Sequence, residues 1–301
     1  MASAPERAAL LRAMPLVFVL IWSTGFIVAR YGMPHAPPMK FLALRYTLSL
    51  ACFGLWVLLA QAAWPRGGAQ WRHLAVIGVL MHGGYLGGVW AAVKAGLGAG
   101  AVSLIVGLQP VLTALWVSAA GDASERVSAR QWAGLALGFG GLVLVVGPKL
   151  GRGELGPWAL VLAVGALLGI TAGTLYQKRH LEPCDVRTAS CVQLLAALAV
   201  TAPLALLETE AMDWQPALVG ALAWSVLGLT LGGASLLYLL IQRGAATSVT
   251  TLLYLVPPCT ATMAWLLFDE PLTPAVLLGF AVTAAGVALV VRGATPPPAS
   301  S

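Results

Sequence analysis

For stretches as long as a bilayer is thick, this chain carries no charged side chain. Residues 95–121, 214–242 and 271–291, for example, contain no Asp, Glu, Lys or Arg. About 20 apolar residues of helix cross the hydrocarbon core of a membrane. Charged residues make up 9% of the 301 and hydrophobic ones 59%, and mean hydropathy is +0.87. A soluble domain of this size needs far more charge to cover its surface. The runs are too long, and alternate too little, for barrel strands. A helical bundle is the remaining way to satisfy every backbone group in lipid. The chain is therefore read as an all-α integral membrane protein with the lipid bilayer as its first partner.

The formal charge of +6 then bears on topology rather than on nucleic acid, for which no role is expected. Cys52, Cys184, Cys191 and Cys259 show no CxxC pairing and are read as small apolar side chains. No metal or cofactor is expected. The first apolar run follows Arg7 and Arg12 and is read as a retained span, because its Trp-Ser-Thr-Gly block suits a signal peptide poorly. Residues 293–301 read as a disordered tail.

Apolar runs between charged or Pro/Gly breaks predict ten transmembrane helices: 14–32, 39–61, 73–94, 98–119, 130–147, 157–177, 187–207, 217–241, 247–267 and 274–291. An internal repeat links the first five to the second. At an offset of 148, Gly96 falls on Gly244, Leu104 on Leu252 and Pro110 on Pro258. At 145, Glu125 falls on Glu270, Ser128 on Thr273, Gly134 on Gly279 and Gly141 on Gly286. The units are 14–147 and 157–292. An odd number of spans per unit forces the second to enter the membrane from the opposite side, so the fold is two inverted five-helix repeats. With both termini cytoplasmic, eleven Lys/Arg fall inside and six outside, and in the second half five fall inside and none outside.

One local pattern invites chemistry: "FDEPLTP", Phe268 to Pro274, with adjacent carboxylates. Its counterpart "SERVSAR", Ser124 to Arg130, recurs 145 positions earlier. Thr273 and Pro274 suit the N-cap and first position of a helix. The acids are read as marking where the chain leaves lipid.

The residues resemble the EamA-type branch of the drug/metabolite transporter superfamily. The resemblance rests on "IWSTGFIVARYG", "FLALRYTLSL", the "LQP" and "VPP" breaks and "DEPLTPAVLLGFAVTAAGVALVV", and covers about residues 14–292. In the first copy, "GDASERVSARQWAG" carries an insertion before the acidic turn. The resemblance implies a ten-helix fold with a central cavity and secondary transport of small organic solutes, often export of amino acids or related metabolites. It does not fix the compound. A monomer suffices for such a fold, and a homodimer is compatible with it. The bias of Lys and Arg and the family together place the chain in a bacterial inner membrane.

Candidate binding residues follow from breaks and deep polar groups. Pro110 and Pro258 interrupt corresponding spans, and matched breaks point to a midplane site. Gln109, His82, Tyr85, Tyr238 and Tyr254 lie at similar depth, and Trp22, Ser23 and Thr24 form a polar-aromatic block in span one; deep polar groups tend to face the bundle interior. The glycines of "HGGYLGGVW" form small-xxx-small pairs and are read as helix packing. Arg45, two turns into span two, is read as snorkelling to the interface, the alternative being a substrate carboxylate. No acid falls well inside a span, which disfavours cationic substrates and carboxylate-based proton or sodium coupling. His82 remains as a titratable group.

The expected function is thus a secondary transporter, an exporter of metabolites such as amino acids by alternating access. Alternatives are a broad drug efflux pump or a metabolite importer or exchanger. An intramembrane enzyme would need clustered His, Asp or Glu at depth. His35, His73 and His180 are scattered at span ends and no HExxH or GxSxG occurs, so no catalytic residue is expected.

Overall fold

The computed structural model describes residues 4–120, 128–151, 156–233, 236 and 255–292. They trace ten helical spans, and no strand occurs among the described residues. Span one is Ala4–Gly32, two Pro38–Ala60, three Gly68–Lys94. Span four comes in two pieces, Ala99–Val106 and Gln109–Ala120. Span five is Ala129–Gly151, six Pro157–His180, seven Val186–Leu207. Span eight is described over Pro216–Gly233, nine over Val256–Phe268 and ten over Pro274–Arg292. Five are long and apolar enough to cross a membrane as single helices, and the other five contribute shorter apolar helices. Leu58, Leu59, Leu206 and Leu207 at the ends of spans two and seven stand more than two-thirds exposed, as side chains facing lipid do.

The span edges differ from expectation where composition misleads. Span three starts at Gly68, five residues early, because Gln70 reaches across to hydrogen-bond the Glu182 carbonyl. Span five, expected to be short, extends through Pro148 to Gly151. Thr273 caps span ten through its hydroxyl to Val276 N (3.3 Å), as its position suggests. Residues 124–127 of its expected twin lie outside the described residues.

The inverted repeat is visible in how contacts exchange. Spans five and ten cross in close contact. Gly141 abuts the Gly279 carbonyl and Thr283, while Gly286 abuts the Gly134 carbonyl and Gly138. The offset of 145 converts Gly141–Gly279 into Gly286–Gly134. It also makes Gly138 and Thr283 counterparts, and the Thr283 hydroxyl donates to the Gly138 carbonyl at 3.5 Å. Residues that touch their own counterparts lie on the two-fold axis. Elsewhere span one packs on spans eight and nine, and span six packs on three and four. Each bundle therefore mixes the two repeats, which follows from the inversion: each first helix of one copy seats on helices of the other.

The glycines of "HGGYLGGVW" divide unequally. A side chain on Gly88 would strike the Leu162 carbonyl and Ala166, whereas Gly83 has open space around it. The Gly84/Gly88 row carries the approach to span six; the Gly83/Gly87 row does not.

Replacing Gly141 or Gly286 by Leu should therefore overpack the axis and cost about 1–3 kcal/mol each. Gly140→Ala, on the same helix with no neighbour within 4 Å, should leave stability unchanged or slightly higher. Thermal unfolding in detergent measures all three.

Candidate functional site

Spans three and eight each relax into a π-helix, over Val79–Leu86 and Ser225–Gly233. The offset of 148, which maps the start of span three (Gly68) onto that of span eight (Pro216), superposes the two stretches to within two residues. A π turn widens the helix and disturbs its hydrogen-bond ladder, and such turns gather at functional sites. Here side chains take up carbonyls inside both. Tyr46 Oη donates to the His82 carbonyl (2.7 Å), and Thr230 Oγ1 donates to the Ser225 carbonyl (2.8 Å).

A polar cluster forms around these turns. Arg45 donates through Nε (3.3 Å) and Nη2 (3.1 Å) to Thr230 Oγ1. Its guanidinium lies over the Trp90 ring, 5.9 Å from the centroid, and Trp90 stacks on Phe41. Tyr46 meets the His82 ring edge-on at 5.9 Å. Gln193, on span seven, and Tyr85 neighbour the same cluster. The offset of 148 again exchanges the pairs: Arg45 falls on Gln193 and His82 on Thr230. Arg45–Thr230 joins spans two and eight, and the counterpart positions Gln193 and His82 lie on spans seven and three, which pack together. The expectation that Arg45 snorkels is overturned. It is only 6% exposed, because its side chain turns toward span eight rather than along the lipid face.

One end of the bundle is closed by acid-capped helices. Glu208 accepts from Met39 N (2.9 Å) and Lys40 N (2.8 Å) at the start of span two. Glu270 accepts from Ala99 N (3.0 Å) at the start of span four and pairs with Arg30 at 3.9 Å. Carboxylates suit these positions, since a helix start presents unpaired N–H groups and positive partial charge. Lys94 binds Glu210 (2.6 Å) and the Met33 carbonyl. The acids of "FDEPLTP" thus do more than mark an exit from lipid. Asp269 takes the left-handed turn (φ 53°) that ends span nine, and Glu270 fastens spans one, four and nine together. At the opposite end the histidines are not scattered: His73 stacks on His180 (5.0 Å) and bonds Tyr176 Oη (2.9 Å).

The other candidates are placed as follows. His82 and Tyr85 belong to the Arg45 cluster. Ser23 donates to the Val19 carbonyl of its own helix, and Thr24 accepts from Trp224 Nε1 (2.8 Å), so both hydroxyls serve span packing. Trp22 tilts against Phe18. Gln109 donates to Thr174 Oγ1 (3.0 Å) on span six. Pro110 sits in the first turn after the Gly107–Leu108 break, where its missing N–H costs nothing. Pro258 lines a small apolar crevice with Leu104, Gly107, Pro257 and Phe280. Tyr238 and Tyr254 lie outside the described residues. Thr230 and Gln193 were missed from sequence. The repeat offset could have found them, since it sets both on polar residues of the first copy. No group of three or more metal-ligating side chains occurs among the described residues.

Three comparisons place the chain among known proteins. The model of the EamA-like transporter family matches twice, at residues 12–147 and 157–292. An uncharacterized transporter of Archaeoglobus fulgidus is 26% identical over 90% of this chain and 93% of its own. A probable amino-acid metabolite efflux pump of Escherichia coli K12 is 23% identical over 93% of this chain and 94% of its own. A solved crystal structure superposes with a TM-score of 0.64 at 17% identity, covering 93% of this chain and 96% of that one; it speaks to the fold alone.

Thr230→Val removes the protein's acceptor from Arg45 at constant shape and should cost about 1.5–3 kcal/mol, the range for a hydrogen bond to a charged group. Thr230→Ser keeps the acceptor and should stay near the parent. Detergent melting curves of the two variants check this.

Proposed function

This chain belongs to the EamA-like transporter family, and we propose that it exports small metabolites such as amino acids by alternating access. The observation that carries the reading is the polar cluster around Arg45, Thr230 and His82, built from both repeats beside the π turns of spans three and eight. A site shared by inverted halves can be offered to either side of a membrane by the same contacts in two exchanged arrangements. The functional units in this reading are residues 14–147 and 157–292.

Two relatives support the substrate class by their names. The Escherichia coli protein and one from Salmonella typhimurium are each a probable amino-acid metabolite efflux pump, the latter 25% identical over 56% of this chain and 54% of its own. In this reading the membrane is a bacterial inner membrane, and the Lys/Arg bias favours both termini in the cytoplasm. The described acids all stand at span ends or in turns, so transport runs down the substrate gradient or couples through His82 rather than through a carboxylate. Small polar solutes fit this cluster better than bulky lipophilic drugs, whose binding calls for a wide apolar chamber.

Cells producing the protein should tolerate toxic amino-acid analogues better than cells lacking it. Proteoliposomes should show counterflow of the same solutes. Failure of any small solute to move in proteoliposomes contradicts the carrier reading. Proton-driven uptake that survives His82→Ala contradicts both proposed modes of energisation.

A further inference from the structure

We infer that Arg45 is a carboxylate-binding residue and that the solute class of this site is organic monocarboxylates, zwitterions included, with cations refused. The inference rests on the carrier reading for transport but not for binding. Arg45 is permanently charged and 6% exposed. A charge at membrane depth costs about 2.5–3.5 kcal/mol on insertion scales, so a buried one is ordinarily paired. Among the described residues no carboxylate pairs with Arg45. The acids at the capped end of the bundle are engaged elsewhere: Glu208 on Met39 N and Lys40 N, Glu210 on Lys94, and Glu270 on Ala99 N.

Among the described residues Arg45 has only a neutral acceptor. Two of its N–H groups converge on one oxygen, Thr230 Oγ1, whose own proton goes to the Ser225 carbonyl. A guanidinium has five donors in a fork shaped for a carboxylate, and the fork here is not filled. Ser49, one turn further along span two, and Ser225 are fully buried, and among the described residues neither hydroxyl has a hydrogen-bond partner. Polar groups left open at this depth are expected to meet a polar ligand.

The second repeat shows that the fold does not require the charge. Gln193 occupies the position equivalent to Arg45, on span seven, which packs against the π turn of span three that carries His82. A neutral side chain therefore fills this position in one of the two copies. The positive charge in the first repeat is surplus to packing, which points to an anionic group that arrives with the solute. Trp90, Tyr46 and Tyr85 beside the guanidinium offer apolar surface to the rest of that solute. No described acid is there to hold an ammonium.

The test uses the full chain purified in detergent and then reconstituted. The probes are L-phenylalanine, 3-phenylpropionate, L-phenylalaninamide and phenethylamine, with acetate and butyrate as small carboxylates. The carboxylates should raise the melting temperature, and 3-phenylpropionate should compete with L-phenylalanine; the amide and the amine should do neither. Arg45→Gln, which copies the second repeat, should melt near the parent yet bind carboxylates about tenfold to a hundredfold more weakly, as expected for a lost charged hydrogen bond. Arg45→Lys should fall between. Should Arg45→Gln fail to fold, the ligand panel on the parent protein decides alone. Equal response to amide and carboxylate, response to no carboxylate, or unchanged carboxylate binding by a folded Arg45→Gln overturns the inference. Carboxylates that bind through Arg45 but do not cross proteoliposomes leave it standing and defeat the carrier reading instead. An amide carried as well as the acid does the reverse.

Discussion

Lipid offers no hydrogen bonds, and the rest of this structure answers to that constraint. It makes every span helical, and it makes each departure from the helix a place where something else must satisfy the backbone. The departures are few and matched. Two π turns, in spans three and eight, have carbonyls taken up by Tyr46 and Thr230. A break at Gly107–Leu108 restarts span four with Pro110 in the first turn, and Pro257 and Pro258 stand in the first turn of the described part of span nine. The proline-marked stretches of spans four and nine meet, since Gly107, Pro257 and Pro258 line one crevice.

The same constraint sorts the charges. Carboxylates gather at helix starts, where Glu208 and Glu270 meet unpaired N–H groups at one end of the bundle and Asp185 caps span seven at the other. In the interior a single described cation, Arg45, is held by a threonine and an aromatic face. The equivalence of Arg45 and Gln193 across the repeat separates what the fold needs from what it does not: a polar side chain stands at this position in both copies, a charge in only one.

Much of the architecture was legible in the sequence. Charge-free runs give the number of spans, and the recurrence of Gly134 and Gly141 at Gly279 and Gly286 gives the inversion, because these glycines are the axis contacts themselves. The site was legible only in part. His82 and Tyr85 stand out by depth, but depth does not tell which way a side chain turns, and Arg45 was misread for that reason. The π turns leave no trace in composition; they show only as a change in which residues share a face. Ser23 and Thr24 looked like lining groups because a hydroxyl in a span can equally bond its own helix or a neighbouring tryptophan, and sequence does not choose between them. Glu270 looked like an exit marker because its partner, Ala99 N, lies 171 positions away.

The central claim is that two bundles, each drawn from both repeats, exchange access around the Arg45 cluster. Pulsed electron resonance on the reconstituted protein tests it most directly. Spin labels at Ala95 and Asp213 report the acid-capped end, and labels at Gln61 and His180 report the other, on a background with the four cysteines replaced. Alternating access predicts two distances at each end, with the longer one at one end rising as the longer one at the other falls when L-phenylalanine is added. Single, unchanging distances at both ends, or both ends widening together, would contradict it.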